Sequence, residues 1–574
     1  MMMDMQNDAD RREALSRAIH STFGTGTRRG NRARRRSGGN LRVPGLLLFV
    51  ILCGALVSWS YVNHKIPFDV SVGDRSTGGS NSEGQEKAPG EGWENESGSM
   101  KNLSGQLKIP YEVPDTVRVL LMNSDFSSIY HEQLVLRGRS GGEVTVTAAG
   151  LGELFSGTRE QLSQEGFLLE KEGERYLLSP QEEGRLSILS LSRACGTPSY
   201  RGRLYLYVQN EQLVLINELS LEEYLYGVLP SEMPASYHGE ALKAQAVCAR
   251  TYACAVMENP RYPEFDAHLD DSTSCQVYGN LEEHENTTTA VEQTKGEILL
   301  FQERPVSTYY YSTSCGISSD LSVWQGFEVE AYPYLSNRSL NALHEELQLA
   351  EDTEFAAYLA AGHEDIESTY PWYRWSCQIS GMDADALYEK LKERYQVRQE
   401  SVELVMPGAQ TADGEYGTGQ SEGTLAEGEN GDGGEEMEPL PADRLPHPGH
   451  IRRLSVAERT ASGCAVCLLI EGENCSYRIY GEYNVRYLLC DGETTVTRQD
   501  GSTSVMRTIL PSAYLILTPL LDKEEVIGYS IIGGGYGHGV GMSQNGADML
   551  AAMGAGYRDI LNYYYTGTEL KIQK

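Results

Sequence analysis

The sequence predicts a mixed α+β fold of mostly antiparallel strands around a buried Ala-rich helix, preceded by a single-pass transmembrane helix. Three observations carry that prediction. Short strand-like runs with turn residues between them recur through two blocks, 108–340 and 450–574. The segment from Gly239 to Met257 has helical periodicity and is small or apolar nearly all round, which places it inside. An apolar run from Val43 to Val62 is long enough to cross a bilayer.

In chain order, residues 1–42 form a basic tail, with ten arginines between Arg11 and Arg42. Arginines on the near side of the apolar run 43–62 hold that end in the cytoplasm, and Trp59 and Tyr61 sit where an aromatic belt is expected. A cleaved signal peptide is the competing reading, but no small-x-small cleavage site follows the run. The expectation is therefore an uncleaved anchor at the cell membrane, with the remainder extracytoplasmic. Residues 63–107, rich in Gly, Ser, Glu and Asn, read as a flexible linker.

The first body block, 108–340, opens with strands at Val117–Met122, Glu143–Thr147, Leu204–Val208 and Leu213–Ile216. Helices follow at Leu221–Leu229 and Gly239–Met257, then a strand-rich stretch from Gly296 to Ser314. Trp324-Gln-Gly326 and Tyr332-Pro-Tyr-Leu335 come after it. Residues 341–449 read as an insertion with amphipathic pieces and an acidic tract, 411–443, that carries ten Asp or Glu and no Lys or Arg. Self-repulsion and the lack of apolar residues predict disorder there. Strand signals resume at Ile451 and run to Leu517, and two short helices, Ser543–Met553 and Tyr557–Tyr565, close the chain with Gly554 as a cap.

The net charge of -33 over 574 residues excludes nucleic acid as a partner, since that would demand a basic face. Ten of eleven cysteines fall outside the membrane segment, in a compartment that permits disulfides. Cys464-x-x-Cys467 lies in a strand-like stretch where residues three apart face opposite ways, so it reads as structural. A disulfide between Cys275 and Cys315 ranks above a zinc site drawn from His268, Asp270, Asp271 and Cys275, because four ligands at a recognisable spacing are not visible.

The chemistry centres on Leu229-Pro-Ser-Glu-Met-Pro234. A carboxyl between two prolines is stiffly held and partly apolar in surroundings, as a general acid that keeps its proton near neutral pH requires. The bland alternative is an ion pair between Glu232 and Arg250, whose buried charge needs a partner. Glu240 already supplies the carboxylate for the start of its helix, and two prolines are more than a salt bridge requires; both favour the acid. The second feature is Gly533-Gly-Gly-Tyr-Gly-His-Gly-Val-Gly-Met-Ser-Gln-Asn-Gly546, with six glycines before Ser543. Such spacing lets backbone N–H groups approach a ligand. No Lys-Ser/Thr follows, which excludes a phosphate loop, and Ser543 lacks the Gly-x-Ser-x-Gly elbow of a serine hydrolase. Two readings stay open: a tight turn with His538 packed in the core, or a polar groove for a sugar lined by Tyr536, His538, Ser543 and Gln544.

Three long motifs in order resemble the SpoIID/LytB family: residues 221–234, residues 241–252 and residues 535–544. The resemblance covers roughly 115–335 and 450–572. It implies a lytic transglycosylase that cleaves the β-1,4 bond between N-acetylmuramic acid and N-acetylglucosamine on peptide-stripped glycan strands, leaving 1,6-anhydro ends. It also implies a role in engulfment during sporulation, beside an amidase and other sporulation membrane proteins. The family's catalytic glutamate falls on Glu232, with Arg250, Gln276, Tyr278, Ser312, Ser314, Tyr536, His538, Ser543 and Gln544 expected at the substrate. Some relatives carry zinc just before Gln276-Val-Tyr278; Asp270 and Ser274 stand at those positions here and only Cys275 is kept, so no metal and no cofactor is assigned. Cys315 stands where many relatives have glycine, which again points to a disulfide with Cys275. The alternative function is a non-catalytic, glycan-binding amidase enhancer.

Overall fold

A computed structural model describes residues 111–340, 347–361, 365–380, 383–405 and 441–572. The basic tail, the proposed membrane segment, the linker and nearly all of the acidic tract lie outside the described residues. Among the described residues, no helix is long and apolar enough to cross a membrane.

The architecture is mixed α+β with mostly antiparallel strands. A six-stranded sheet runs in the order Leu269–Asp270, Thr116–Leu121, Gln212–Ser220, Arg203–Gln209, Arg175–Pro180 and Phe167–Glu172. Its one parallel pairing joins Thr116–Leu121 to Leu269–Asp270, and this carries the chain from the sheet toward residues 271–278. Leu213 to Leu219 is buried throughout, the mark of a central strand covered on both faces.

The helix Leu221–Glu232 begins where the last long strand of that sheet ends. Ser220 caps it through its hydroxyl, and Glu222 and Glu223 complement the dipole of its first turn. Pro230 lies in its last turn and the helix stops at Glu232. A Cβ at Gly227 would stand 2.7 Å from the Tyr278 ring, so glycine there is what lets the helix lie against residues 276–279. The central helix Gly239–Glu258 is buried over most of its length, as its small residues predict.

Arg250 has no exposed surface, and its partner is Glu222, not Glu232. Nε and Nη2 meet the two Glu222 oxygens at 2.8 and 2.7 Å, and the carbonyls of Glu297 and Val291 accept from Nη1 and Nη2 at 3.1 and 3.3 Å. A planar fork explains the choice: Glu222 stands where both carboxylate oxygens can be met at once.

Within the stretch read as an insertion, 341–449, two strands pair with elements outside it. Trp375–Ser380 is the middle strand of a five-stranded antiparallel sheet, between Thr494–Arg498 and Glu525–Gly533. Val402–Val405 is an edge of a four-stranded sheet with Ser476–Tyr480, Ala465–Gly472 and Ile451–Arg459. Both are short strands flanked by helical or polar residues, and their partners lie far along the chain, so no local pattern marks them. The two final helices are observed at Gln544–Ala552 and Tyr557–Tyr564, with Ser543 as the first one's cap and Gly554 at φ 98° just past its end.

Removing Glu222 leaves the Arg250 guanidinium buried without its counter-charge. Glu222→Ala is expected to cost about 3 kcal/mol or more of unfolding free energy, read from denaturant titration. A loss under about 0.5 kcal/mol, the range of ordinary surface substitutions, would refute the assignment of this pair.

Candidate active site

Glu232 is the last residue of its helix, so its side chain leaves the helix end and turns toward residues 276–278. Its carboxyl Oε1 accepts the backbone N–H of Val277 at 2.7 Å. The Tyr310 hydroxyl is a second hydrogen-bond partner of the carboxyl. Burial dominates its electrostatics and pushes the group well above the ordinary carboxyl value, to about 7, against the opposing pull of these two hydrogen bonds. No second carboxylate is among the described groups that act on it.

A hydrogen-bonded chain fixes Tyr310. The Tyr224 hydroxyl donates to Gln276 Oε1 at 3.3 Å, and Gln276 Nε2 donates to the Tyr310 hydroxyl oxygen at 3.2 Å. That orientation leaves the Tyr310 proton to point at Glu232. Gln276 is buried, so its amide orients Tyr310 from behind.

The Gly-rich loop completes the site from the far end of the chain. Tyr310–Tyr311 pairs in parallel with Met542–Ser543. Thr313 and Tyr536 exchange backbone hydrogen bonds at 3.1 and 2.7 Å, and Ser319 N donates to Gly539 O at 2.8 Å. The glycines serve this close approach. Gly541 has φ 78°, and a Cβ on it would lie 1.9 Å from the Tyr309 carbonyl oxygen. The N–H groups of Gly534, Gly535 and Gly537 are taken by the carbonyls of Tyr514, Trp372 and Pro511, so here the spacing seats backbone on backbone.

His538 accepts from Val540 N through Nδ1 at 3.1 Å, which leaves Nε2 as the donor to Tyr310 O at 3.1 Å. Burial, with a smaller push from Arg486, lowers its pKa to about 3, so it is neutral at physiological pH. Gln544 Nε2 donates to the backbone carbonyl of Glu232 at 3.2 Å. Glu232, Gln276 and His538 therefore meet around Tyr310, and Gln544 joins them at the Glu232 carbonyl. Ser312 and Tyr536 lie on the adjoining segments: Ser312 accepts Asn545 N through its carbonyl, and the Tyr536 ring packs at 4.9 Å from that of Trp372.

The remaining expected substrate contacts are buried and engaged within the protein. Arg250 is held by Glu222, and the Tyr278 hydroxyl donates to Asn217 Oδ1 at 2.8 Å. Ser314 Oγ accepts Gly316 N at 2.7 Å, and Ser543 Oγ caps its helix while donating to Glu367 at 2.7 Å. Ser543 and His538 thus have separate partners, which removes the arrangement a serine hydrolase would need.

Cys275 and Cys315 are both free thiols, contrary to the expected disulfide. Each has its own setting. Cys275 Sγ donates to Asp270 Oδ2 at 3.4 Å, whereas Cys315 is buried beneath Gly534, near Arg374 and Asp365. His268 and Asp271 are likewise engaged, with the N–H of Arg118 and with Arg193.

Two residues escaped the sequence reading. Tyr310 stands in the run Tyr309-Tyr-Tyr311, one position before the stretch singled out, and three consecutive tyrosines were the available signal. Glu367 had none. It is 1 % exposed, accepts Ser314 N at 2.8 Å and Ser543 Oγ at 2.7 Å, and burial pushes it up to about 8.

The family model described as "Stage II sporulation protein", SpoIID, matches residues 209–301, a span that includes the helix bearing Glu232 and its contact at Val277. Over that span the chain is similar to the SpoIID/LytB family. Among its relatives, the amidase enhancer of Bacillus subtilis is 28% identical over 352 residues, covering 60% of this chain and 40% of that protein. Stage II sporulation protein D of Bacillus amyloliquefaciens is 32% identical over 136 residues, 21% of this chain and 39% of that protein. An uncharacterized protein of Brachyspira hyodysenteriae is 40% identical over 138 residues, 24% of this chain and 36% of that protein. The chain thus spans well under half the length of each of these relatives.

A carboxyl whose folded pKa lies above its unfolded value of 4.5 supports folding fully below that value and loses its contribution as pH rises through the folded pKa. For Glu232 this window is pH 4.5 to about 7, and for Glu367 it extends to about 8. Glu232→Gln is therefore expected to be more stable than the parent at pH 8, on the order of 2 kcal/mol, with the gain shrinking toward pH 5. Thermal unfolding at both pH values checks it; an equal effect at both would contradict the raised pKa.

Proposed function

We propose that this protein is a peptidoglycan lytic transglycosylase with Glu232 as its single acid–base group. The observation that carries the reading is the carboxyl itself: half-buried, held by Val277 N–H and the Tyr310 hydroxyl, and poised near pH 7. The substrate is the β-1,4 bond between N-acetylmuramic acid and N-acetylglucosamine in glycan strands stripped of stem peptides.

A proton passes from Glu232 to the glycosidic oxygen as its bond to the anomeric carbon breaks. The resulting carboxylate is stabilised by the two donors already aimed at it, Val277 N–H and the Tyr310 hydroxyl. It then takes the proton of the muramoyl 6-hydroxyl as that oxygen attacks the anomeric carbon. The product is a 1,6-anhydro end, no water is consumed, and Glu232 regains its proton. Ordinary glycosidases require a second carboxylate; here the sugar's own hydroxyl takes that role with the advantage of proximity.

The protein acts outside the cell membrane, anchored by residues 43–62 with its N-terminus in the cytoplasm, during the engulfment stage of sporulation. An amidase that strips stem peptides is its working partner, together with other sporulation membrane proteins. The second reading is a non-catalytic amidase enhancer, favoured by the name of the Bacillus subtilis relative.

Full-length protein in detergent, incubated with peptide-stripped glycan strands, is expected to release 1,6-anhydro-muramoyl ends detected by mass spectrometry. Glu232→Gln is expected to lower that rate by at least a hundredfold, the scale of a general acid's contribution. Reducing ends would mean hydrolysis, and binding without cleavage would favour the enhancer. Because the first step needs the protonated acid, turnover is expected to fall as pH rises through about 7; a rate still rising at pH 9 would rule out Glu232 as the acid.

A further inference from the structure

Beside the site lies a set of aromatic rings that the reaction above does not use. Tyr252, Tyr309, Trp324, Phe327 and Tyr332 follow one another with ring centroids 6.4, 5.0, 6.0 and 6.1 Å apart. Each of the five is only partly buried. Tyr309, Trp324, Phe327 and Tyr332 pack against the core on one side, and a contiguous run of such part-exposed rings is a candidate surface for meeting something else.

The run is continuous with the acid site. Trp324 packs against His538 with centroids 5.1 Å apart, and His538 is the residue that holds the Tyr310 carbonyl. Tyr309 is the neighbour of Tyr310 and contacts both Trp324 and His538. His538 is neutral at this end of the run, while the Arg261 guanidinium lies within electrostatic reach of Tyr252 and Tyr309. Trp324 Nε1 has no acceptor among the described residues, so an indole donor is present at the middle of the run.

We infer that these rings form an extended glycan-binding tract, on which sugar units to one side of the scissile bond stack. The inference deepens the transglycosylase reading and rests on it for the identity of the strand. Aromatic faces carry negative quadrupole charge, which complements the polarised C–H faces of a β-linked sugar, while the Trp N–H suits a hydroxyl or acetamido oxygen. No Lys or Arg occurs from Leu321 to Leu335, so nothing in that segment would pair with the carboxylates of a stem peptide. The tract is longer than one ring, so it gives the protein a preference for length.

The test uses full-length Glu232→Gln in detergent, with peptide-stripped strands fractionated into short (disaccharide to tetrasaccharide) and long (decasaccharide and above) pools. Long strands are expected to bind at least tenfold more tightly than short ones. Adding Trp324→Ala is expected to reduce that advantage to threefold or less, and Trp324→Phe to retain most of it. Persistence of the full advantage in the alanine variant, or its absence from the parent, would overturn the tract. Should Trp324→Ala lower the melting temperature sharply, Phe327→Ala is read by the same criterion. Wild-type protein that binds long strands but releases no anhydro ends would sink the enzymatic reading and leave the tract standing; cleavage with no length preference would do the reverse.

Discussion

A side-chain amide from Gln544 reaches the carbonyl of Glu232 across 312 positions of sequence. The last carbonyls of any helix lack internal partners, and here the helix that presents the acid ends on one of them. Gln544 satisfies that carbonyl and so fixes where the helix stops and where the carboxyl points. Its own position depends on Ser543, which caps the helix Gln544–Ala552 and is gripped in turn by the buried Glu367. The parallel pairing of Tyr310–Tyr311 with Met542–Ser543 then places the Tyr310 hydroxyl against the same carboxyl. One contact between distant parts of the chain thus organises the acid, its hydrogen-bond donor and the support behind them.

The placement of Arg250 has an electrostatic counterpart. Had its guanidinium faced Glu232, the carboxyl would have been drawn below its ordinary pKa and would sit ionised at neutral pH. Glu222 takes the cation at the opposite end of the same helix. Glu232 is left with burial, which favours the proton, and with two neutral donors, which stabilise the anion without forcing it. The fold therefore separates the cation from the acid while keeping both on elements that pack together.

The parts of this arrangement that were legible from sequence are those set by local rules. Helix periodicity and capping placed Gly239–Glu258 and the two final helices to within a residue at each end, because Ser and Gly act on their own neighbours, whereas the helix expected to stop at Leu229 runs on through Pro230 to Glu232. Glu232 was legible because prolines constrain the backbone beside it. The partner of Arg250 was not, since proximity in sequence says little about which carboxylate can offer two oxygens to a planar fork. Trp375–Ser380 was missed for the same kind of reason. Its strand partners begin more than a hundred residues later, and a six-residue strand carries too weak a pattern to announce itself. The Gly-rich motif was visible, but the ligand its glycines make room for is the protein's own backbone.

The distance spanned by the Gln544 contact also bears on how the molecule comes to be. Pairings of such separation close large loops and form late in folding. A chain emerging from its N-terminus would complete the strand and helix around Glu232 well before residue 544 arrived, with the helix end uncapped and Tyr310 without its partner strand. The acid would be present in the nascent chain yet not organised. The setting of Glu232 is thereby tied to residue 544: a carboxyl poised near neutrality stays unassembled until that distant part of the chain is in place.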